Sequence, residues 1–155
     1  MTEVRYREAT PADAQAILTF QVAMALETEE VALDRDVTAR GVQAVFDDPS
    51  LGRYFVAEAA AEAEERVVAS LMITYEWSDW RNGVVWWIQS VYVVPELRGQ
   101  RVYAGLYAHV KEMVDATPAI RGIRLYVDDR NQSAQQVYTR LGMNGEHYKV
   151  FEWMK

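Results

Sequence analysis

The sequence predicts an α/β domain built on a mixed sheet, and three observations lead there. The first is an almost unbroken apolar run from Val84 to Val94, interrupted only by Gln89 and Ser90, which suits a central strand covered on both faces. The second is the pattern beyond that run. Val102, Leu106, Val110 and Met113 recur at helical spacing, and Ile123, Leu125 and Val127 then alternate as a strand. Strand, helix and strand form a right-handed parallel crossover. The third is Asn82-Gly83 just before the apolar run, a hairpin signal that makes the earlier strands antiparallel.

Taken in order, Val4-Arg5-Tyr6-Arg7 reads as a short first strand. Thr10-Pro11-Ala12-Asp13 starts a helix, with Thr10 as cap, Pro11 in the first turn and Asp13 at the positive end of the dipole. Its stripe is Ala14, Ile17, Leu18, Val22 and Leu26, and the polar Glu27-Thr28-Glu29-Glu30 ends it. A second helix is expected from Asp36 to Phe46, stopped by Asp47-Asp48-Pro49-Ser50. Strands are expected at Arg53–Ala59 and Val67–Trp77, joined by an Ala/Glu turn from Ala60 to Glu65. After the central strand, a helix runs to Ala116, a strand covers 122–127, a helix covers Gln132–Leu141 with Gly142 as its stop, and His147–Met154 closes as a strand. The order is β-α-α-β-β-β-α-β-α-β. No linker or repeat divides it, so 1–155 reads as a single domain.

Composition excludes several kinds of chemistry. There is no Cys, so disulfides, thiol nucleophiles and cysteine-bound zinc are absent. His109 and His147 have no partner at metal-ligand spacing, and no metal is expected. The net charge is -7: residues 1–65 hold 14 acidic and 5 basic side chains, the remainder 9 and 11. Such an acidic first half argues against nucleic acid, because phosphate binding needs Lys and Arg. No window approaches about 18 continuous apolar residues, so no membrane partner is expected. The N-terminus has no signal-peptide pattern and the expected location is the cytoplasm. A homodimer is left open.

Two segments carry chemistry. In the first, Val93-Val94-Pro95-Glu96-Leu97-Arg98-Gly99-Gln100-Arg101-Val102-Tyr103, a central strand enters a helix N-terminus. Free N–H groups and the helix dipole favour an anion there, Gly99 allows close approach, and Arg98 and Arg101 add charge. In the second, Asn131 stands as a helix cap while Ala134, Val137, Tyr138 and Leu141 share one stripe.

With both segments present in this order, the chain resembles the GNAT superfamily of acetyl-CoA-dependent N-acetyltransferases, over nearly its whole length. The family's loop, Arg/Gln-x-x-Gly-x-Gly/Ala after Val-x-Pro, is similar to Val93-Val94-Pro95 and Arg98-Gly99-Gln100. Arg101 stands where Gly is usual, Tyr103 stands where Gly or Ala is usual, and Val102 keeps the apolar position. The family's Asn-x-x-Ala-x-x-x-Tyr-x-x-x-Gly-Phe is similar to Asn131, Ala134, Tyr138, Gly142 and Met143, with Met for Phe.

The resemblance implies a GNAT-like acyl-CoA N-acyltransferase fold, with acetyl-CoA as co-substrate. Val91, Tyr92 and Val93 would pair with pantetheine, the 98–103 turn would take the pyrophosphate, and Asn131 and Tyr138 would complete the cofactor site. It makes Tyr138 the general acid that protonates the leaving sulfur. The central strand has no acidic residue, so the favoured base is a water chain ordered by Gln89, with Glu76 as its terminus. For the acceptor, the resemblance points to the segment between the first two helices, Glu27-Thr28-Glu29-Glu30, with Glu29 and Glu30 as its candidate residues, and to the last strands. Trp77, Trp80, Trp86, Trp87 and Tyr126 are candidate pocket aromatics. The leading expectation is a small-molecule primary amine. A protein or peptide N-acetyltransferase and a catalytically idle acyl-CoA-binding module are the alternatives.

Overall fold

The computed structural model describes residues 3–61 and 63–155, so Met1, Thr2 and Glu62, at the middle of the expected Ala/Glu turn, lie outside the described residues. The chain forms two compact units, one ending at Arg124 and one starting at Leu125. The first contains strands β1 (Val4–Glu8), β2 (Arg53–Ala61), β3 (Glu64–Ser78), β4 (Gly83–Val93) and β5 (Ile120–Arg124), with helices α1 (Ala14–Glu29), α2 (Arg35–Asp47) and α3 (Val102–Ala116). The second contains α4 (Gln132–Arg140). The sheet order is β1-β2-β3-β4-β5. Its first four strands are antiparallel neighbours, and β5 joins β4 in parallel through the α3 crossover.

Register sorts the side chains onto two faces. Tyr54 opposite Met72 and Val56 opposite Ser70 lie on one face, where they pack with Ile17 of α1 and Val42 of α2. Phe55, Leu71 and Ile73 lie on the other and are fully buried. There the Phe55 ring sits 6.0 Å from that of His109 on α3, beside the fully buried Leu106 and Val110. Burial of each such side chain contributes roughly 1.5–3 kcal/mol. Where α3 crosses β1, a Cβ on residue 105 would collide with the Tyr6 ring and hydroxyl and force that side chain to move, so glycine lets the two elements approach.

The start of α1 is fixed by charge. Pro11–Asp13 forms a single 3-10 turn. The Asp13 carboxylate accepts the Thr10 N–H at 2.7 Å and a two-pronged contact from Arg7 at 2.8 and 2.9 Å. Arg7 also reaches Glu58 on β2. The Arg7 hydrogen bond, helped by the Thr10 N–H and opposed by burial, holds the Asp13 pKa below its ordinary value. A carboxyl depressed on folding stabilises above its unfolded pKa, and that stabilisation is lost as pH falls through the folded value. The melting temperature should therefore change little from pH 7 to 5 and drop below about pH 4. Asp13→Asn should flatten that acid limb, and parallel Tm-against-pH curves for the two proteins would contradict the assignment.

Two expected strands differ from what forms. The crossover strand begins earlier and is shorter than 122–127, with ladder pairs running from Val84–Ile120 to Trp87–Arg124. Residues 147–154 take no strand pairing, and Tyr148, Phe151, Trp153 and Met154 are exposed. Apolar alternation marks which residues suit a strand, whereas the strand itself needs a partner ladder for its N–H and C=O groups.

Candidate active site

The middle of β4 is irregular. Ser70 pairs with Tyr92 and Met72 with Gln89, so β4 spends one residue more than β3 between these pairs. The extra residue forms a bulge in which Ser90 adopts a left-handed φ of 54°. Bulges re-aim backbone groups and often sit beside active sites. On its other side, β4 is paired with β5 only as far as Trp87 opposite Arg124. From Ile88 to Val93 that edge has no strand partner among the described residues. It therefore offers backbone donors and acceptors to an extended ligand, along the stretch that contains Val91, Tyr92 and Val93.

The strand then runs into the loop before α3. Pro95–Leu97 makes a 3-10 turn with Leu97 buried. Gly99 has φ 76° and nothing within 4 Å of the place a Cβ would occupy. Arg101 caps α3 in the left-handed region, with φ 64° and ψ 21°. The Gly105 N–H donates to the Arg101 carbonyl at 3.1 Å, so Val102, Tyr103 and Ala104 are the first-turn residues whose N–H groups lack helical acceptors. Val102 is buried and anchors the turn, while Gly99, Gln100 and Arg101 are exposed. Arg101 makes no ion pair among the described residues. The large Tyr103 ring lies 6.3 Å from that of Tyr107, one helical turn on, and its hydroxyl oxygen is buried. An open glycine, helical N–H groups and an exposed guanidinium are a donor set that fits a pyrophosphate.

Arg98 is used differently from Arg101. Its Nε donates to the Val93 carbonyl at 2.9 Å and its guanidinium binds Glu27 at 2.8 Å. It also lies 5.3 Å from the centre of the Tyr92 ring. Tyr92 is stacked on Phe20 of α1 at 5.0 Å.

On the α1–α2 face, polar side chains continue along β4 from the bulge. The Gln89 amide donates to the Thr74 hydroxyl. Glu76 accepts the Trp87 indole N–H at 2.8 Å and Arg124 at 2.7 Å. These two donors, Trp87 first, hold the Glu76 pKa below the usual carboxylate range, which makes it a stable anion and a weak proton acceptor. Trp77 pairs with Val84 and shares the α3 face with Ile73; it is 63% exposed. Trp86 is a core residue, 3% exposed and 6.2 Å from Phe55, which removes it from the candidate pocket aromatics. Glu29 ends α1 and Glu30 caps it in the left-handed conformation, φ 55°; both are exposed.

In the second unit, Asn131 caps α4 by accepting the Ala134 N–H at 3.1 Å. The Gln135 amide holds the Asp128 and Asp129 carbonyls. Gly142, at φ 89°, lets the chain turn so that the Met143 N–H donates to the Tyr138 carbonyl at 3.0 Å. Tyr138 is half-buried, and burial pushes its phenol pKa up. The phenol is protonated at neutral pH with or without that shift, which is the state a proton donor needs. Sequence reasoning gave Ser90 no role, since it carries no turn signature, and placed Glu27 in the acceptor segment without its pairing to Arg98, 71 residues away.

A bulged central strand, unpaired with β5 beyond Trp87, runs into a helix N-terminus whose free N–H groups suit an anion. The chain belongs to the acetyltransferase (GNAT) family, whose model matches residues 17–143. A possible acetyltransferase from Clostridium difficile 630 is 39% identical, with 98% of this chain and 97% of that one covered and a TM-score of 0.87. Two more distant structures share the fold. One is the aminoglycoside N-acetyltransferase AAC(6')-Iy in complex with CoA, at 13% identity, coverage of 100% and 97%, and TM-score 0.76. The other is a predicted acetyltransferase from Clostridium acetobutylicum with acetyl-CoA, at 18% identity, coverage of 99% and 95%, and TM-score 0.70. No curated protein matches the sequence. Members of the GNAT family use acetyl-CoA. Among the described residues no cluster of His, Cys, Asp or Glu is arranged to hold a metal ion, and no helix is long and apolar enough to cross a membrane.

Proposed function

We propose that residues 1–155 act as one cytoplasmic N-acetyltransferase domain that moves an acetyl group from acetyl-CoA to a primary amine of a small molecule. The observation that carries this reading is the continuity of the Ser90 bulge, the open β4 edge and the 98–103 turn along a single stretch of chain. Acetyl-CoA supplies an acetyl group activated as a thioester. In this reading the edge at Val91–Val93 binds pantetheine, and a β4 N–H at the bulge bonds the thioester oxygen as charge builds on it. Gly99, Gln100, Arg101 and the first-turn N–H groups of α3 hold the pyrophosphate. The amine nitrogen forms a bond to the acetyl carbon while the carbon–sulfur bond breaks. Tyr138 gives its proton to the departing sulfur, and water held by Gln89 takes the proton from the amine. Glu76, the proposed end of that water chain, has its carboxylate held by Trp87 and Arg124. Glu29 and Glu30 form an acidic wall suited to an ammonium-bearing acceptor.

Acetyl-CoA at millimolar concentration should raise the melting temperature, because a ligand bound only by the folded state stabilises it. An amine panel monitored by release of the CoA thiol then identifies the acceptor. No thermal response to acetyl-CoA or CoA would refute the cofactor site. A thermal response with no turnover on any amine or peptide would favour an acyl-CoA-binding module, the reading that the engaged Glu76 supports.

A further inference from the structure

The contacts of Arg98 point to a role other than phosphate binding. Its guanidinium spans two elements: one arm holds the last carbonyl of β4, at Val93, and the other holds Glu27 near the end of α1. The Tyr92 hydroxyl reaches the same Glu27 carboxylate at 3.3 Å, and the Arg98 cation lies near the Tyr92 ring. Glu27 therefore collects donors from both sides of the point where β4 becomes the loop. We infer that Glu27 and Arg98 are positioning residues: a clamp that fixes the start of the cofactor turn against α1 and so presets the N–H groups of the turn for the pyrophosphate. The clamp also ties that turn to the helix end that carries Glu29 and Glu30, so the cofactor turn and the acidic segment share one anchor.

The alternative is that Arg98 is a phosphate ligand parked on Glu27. The two accounts differ in sign. A parked ligand is released when Glu27 loses its charge, and CoA then binds more tightly or as before. A clamp is loosened, and CoA binds more weakly. Side-chain exposure is 46% for Arg98 and 40% for Glu27, so the pair is screened and the effect modest.

The inference rests on acetyl-CoA binding at the 98–103 turn, and calorimetric titration of CoA into the whole chain tests both. Glu27→Gln should weaken CoA about three- to fivefold, the size of a partly exposed ion pair. Arg98→Gln should weaken it at least as much, and the double variant no more than Arg98→Gln alone, since both changes break one unit. With acetyl-CoA as substrate, KM should rise in the same proportion while kcat stays within about twofold. Melting temperatures within about 3 °C of wild type show that the fold survives. Unchanged or tighter CoA binding by Glu27→Gln overturns the clamp, as do additive effects in the double variant. If the wild-type protein itself fails to bind CoA, the cofactor assignment falls and the clamp with it; if it binds and Glu27→Gln binds equally, only the clamp falls.

Discussion

Tyr138→Phe should leave the fold intact and lower kcat by about 10²-fold or more. The substitution keeps the ring and removes one oxygen. Tyr138 sits in the last turns of α4, and its carbonyl already receives the Met143 N–H, so the backbone around it stays closed whichever ring is present. Thiolate departure without a proton donor raises the barrier of the bond-breaking step, and that loss appears in kcat. The raised phenol pKa adds a second readout. The alkaline limb of the wild-type kcat profile should lie above the ordinary tyrosine range, and it should vanish in the variant. A tyrosine that merely fills the stripe with Ala134 and Val137 predicts equal kcat, and equal kcat with chemistry shown to be rate-limiting would take Tyr138 out of the mechanism.

Much of the framework is local and therefore visible in the sequence. Asn82-Gly83 marks a hairpin because the turn needs a left-handed residue, and Asn82 takes it at φ 46°. Thr10-Pro11 announces a helix start because Pro11 lacks the N–H that a first turn leaves unbonded. Gly99 before a helical stripe gives away the loop. The hidden features are non-local or carry the wrong residue type. The β4 bulge depends on how β3 pairs with it, and Ser90 in an apolar run looks like any strand residue. Arg101 caps α3 with φ 64° where the family motif has Gly, so a left-handed turn forms although the side chain does not announce it. Arg98 looks like a phosphate cation until Glu27 appears beside it. Glu76 looks like a base until β5 brings Arg124 to it. The last apolar alternation, at 147–154, signals suitability for a strand without supplying a partner.

Ser90→Val should lower kcat/KM for acetyl-CoA by about 10²-fold, the loss typical of one misplaced donor at a reacting carbonyl. A β-branched residue is strained at positive φ, at a cost of roughly 1–3 kcal/mol. The strand can relieve that strain by flattening the bulge. Flattening shifts the register of the residues beyond it by one, and side chains from Val91 onward change faces. Tyr92 would then leave Phe20, its stacking partner at 5.0 Å, and Val93 would no longer present its carbonyl to Arg98. Either outcome lowers the melting temperature and displaces the N–H groups along the open edge. Ser90→Gly separates backbone from hydroxyl. Glycine takes positive φ without a steric cost, so this variant should melt at or above the wild-type temperature and keep activity within about twofold. Ser90→Val with wild-type kinetics would show that the bulge has no part in catalysis. An inactive Ser90→Gly that still folds would assign the effect to the serine hydroxyl, and the backbone at this position would then lose its place in the mechanism.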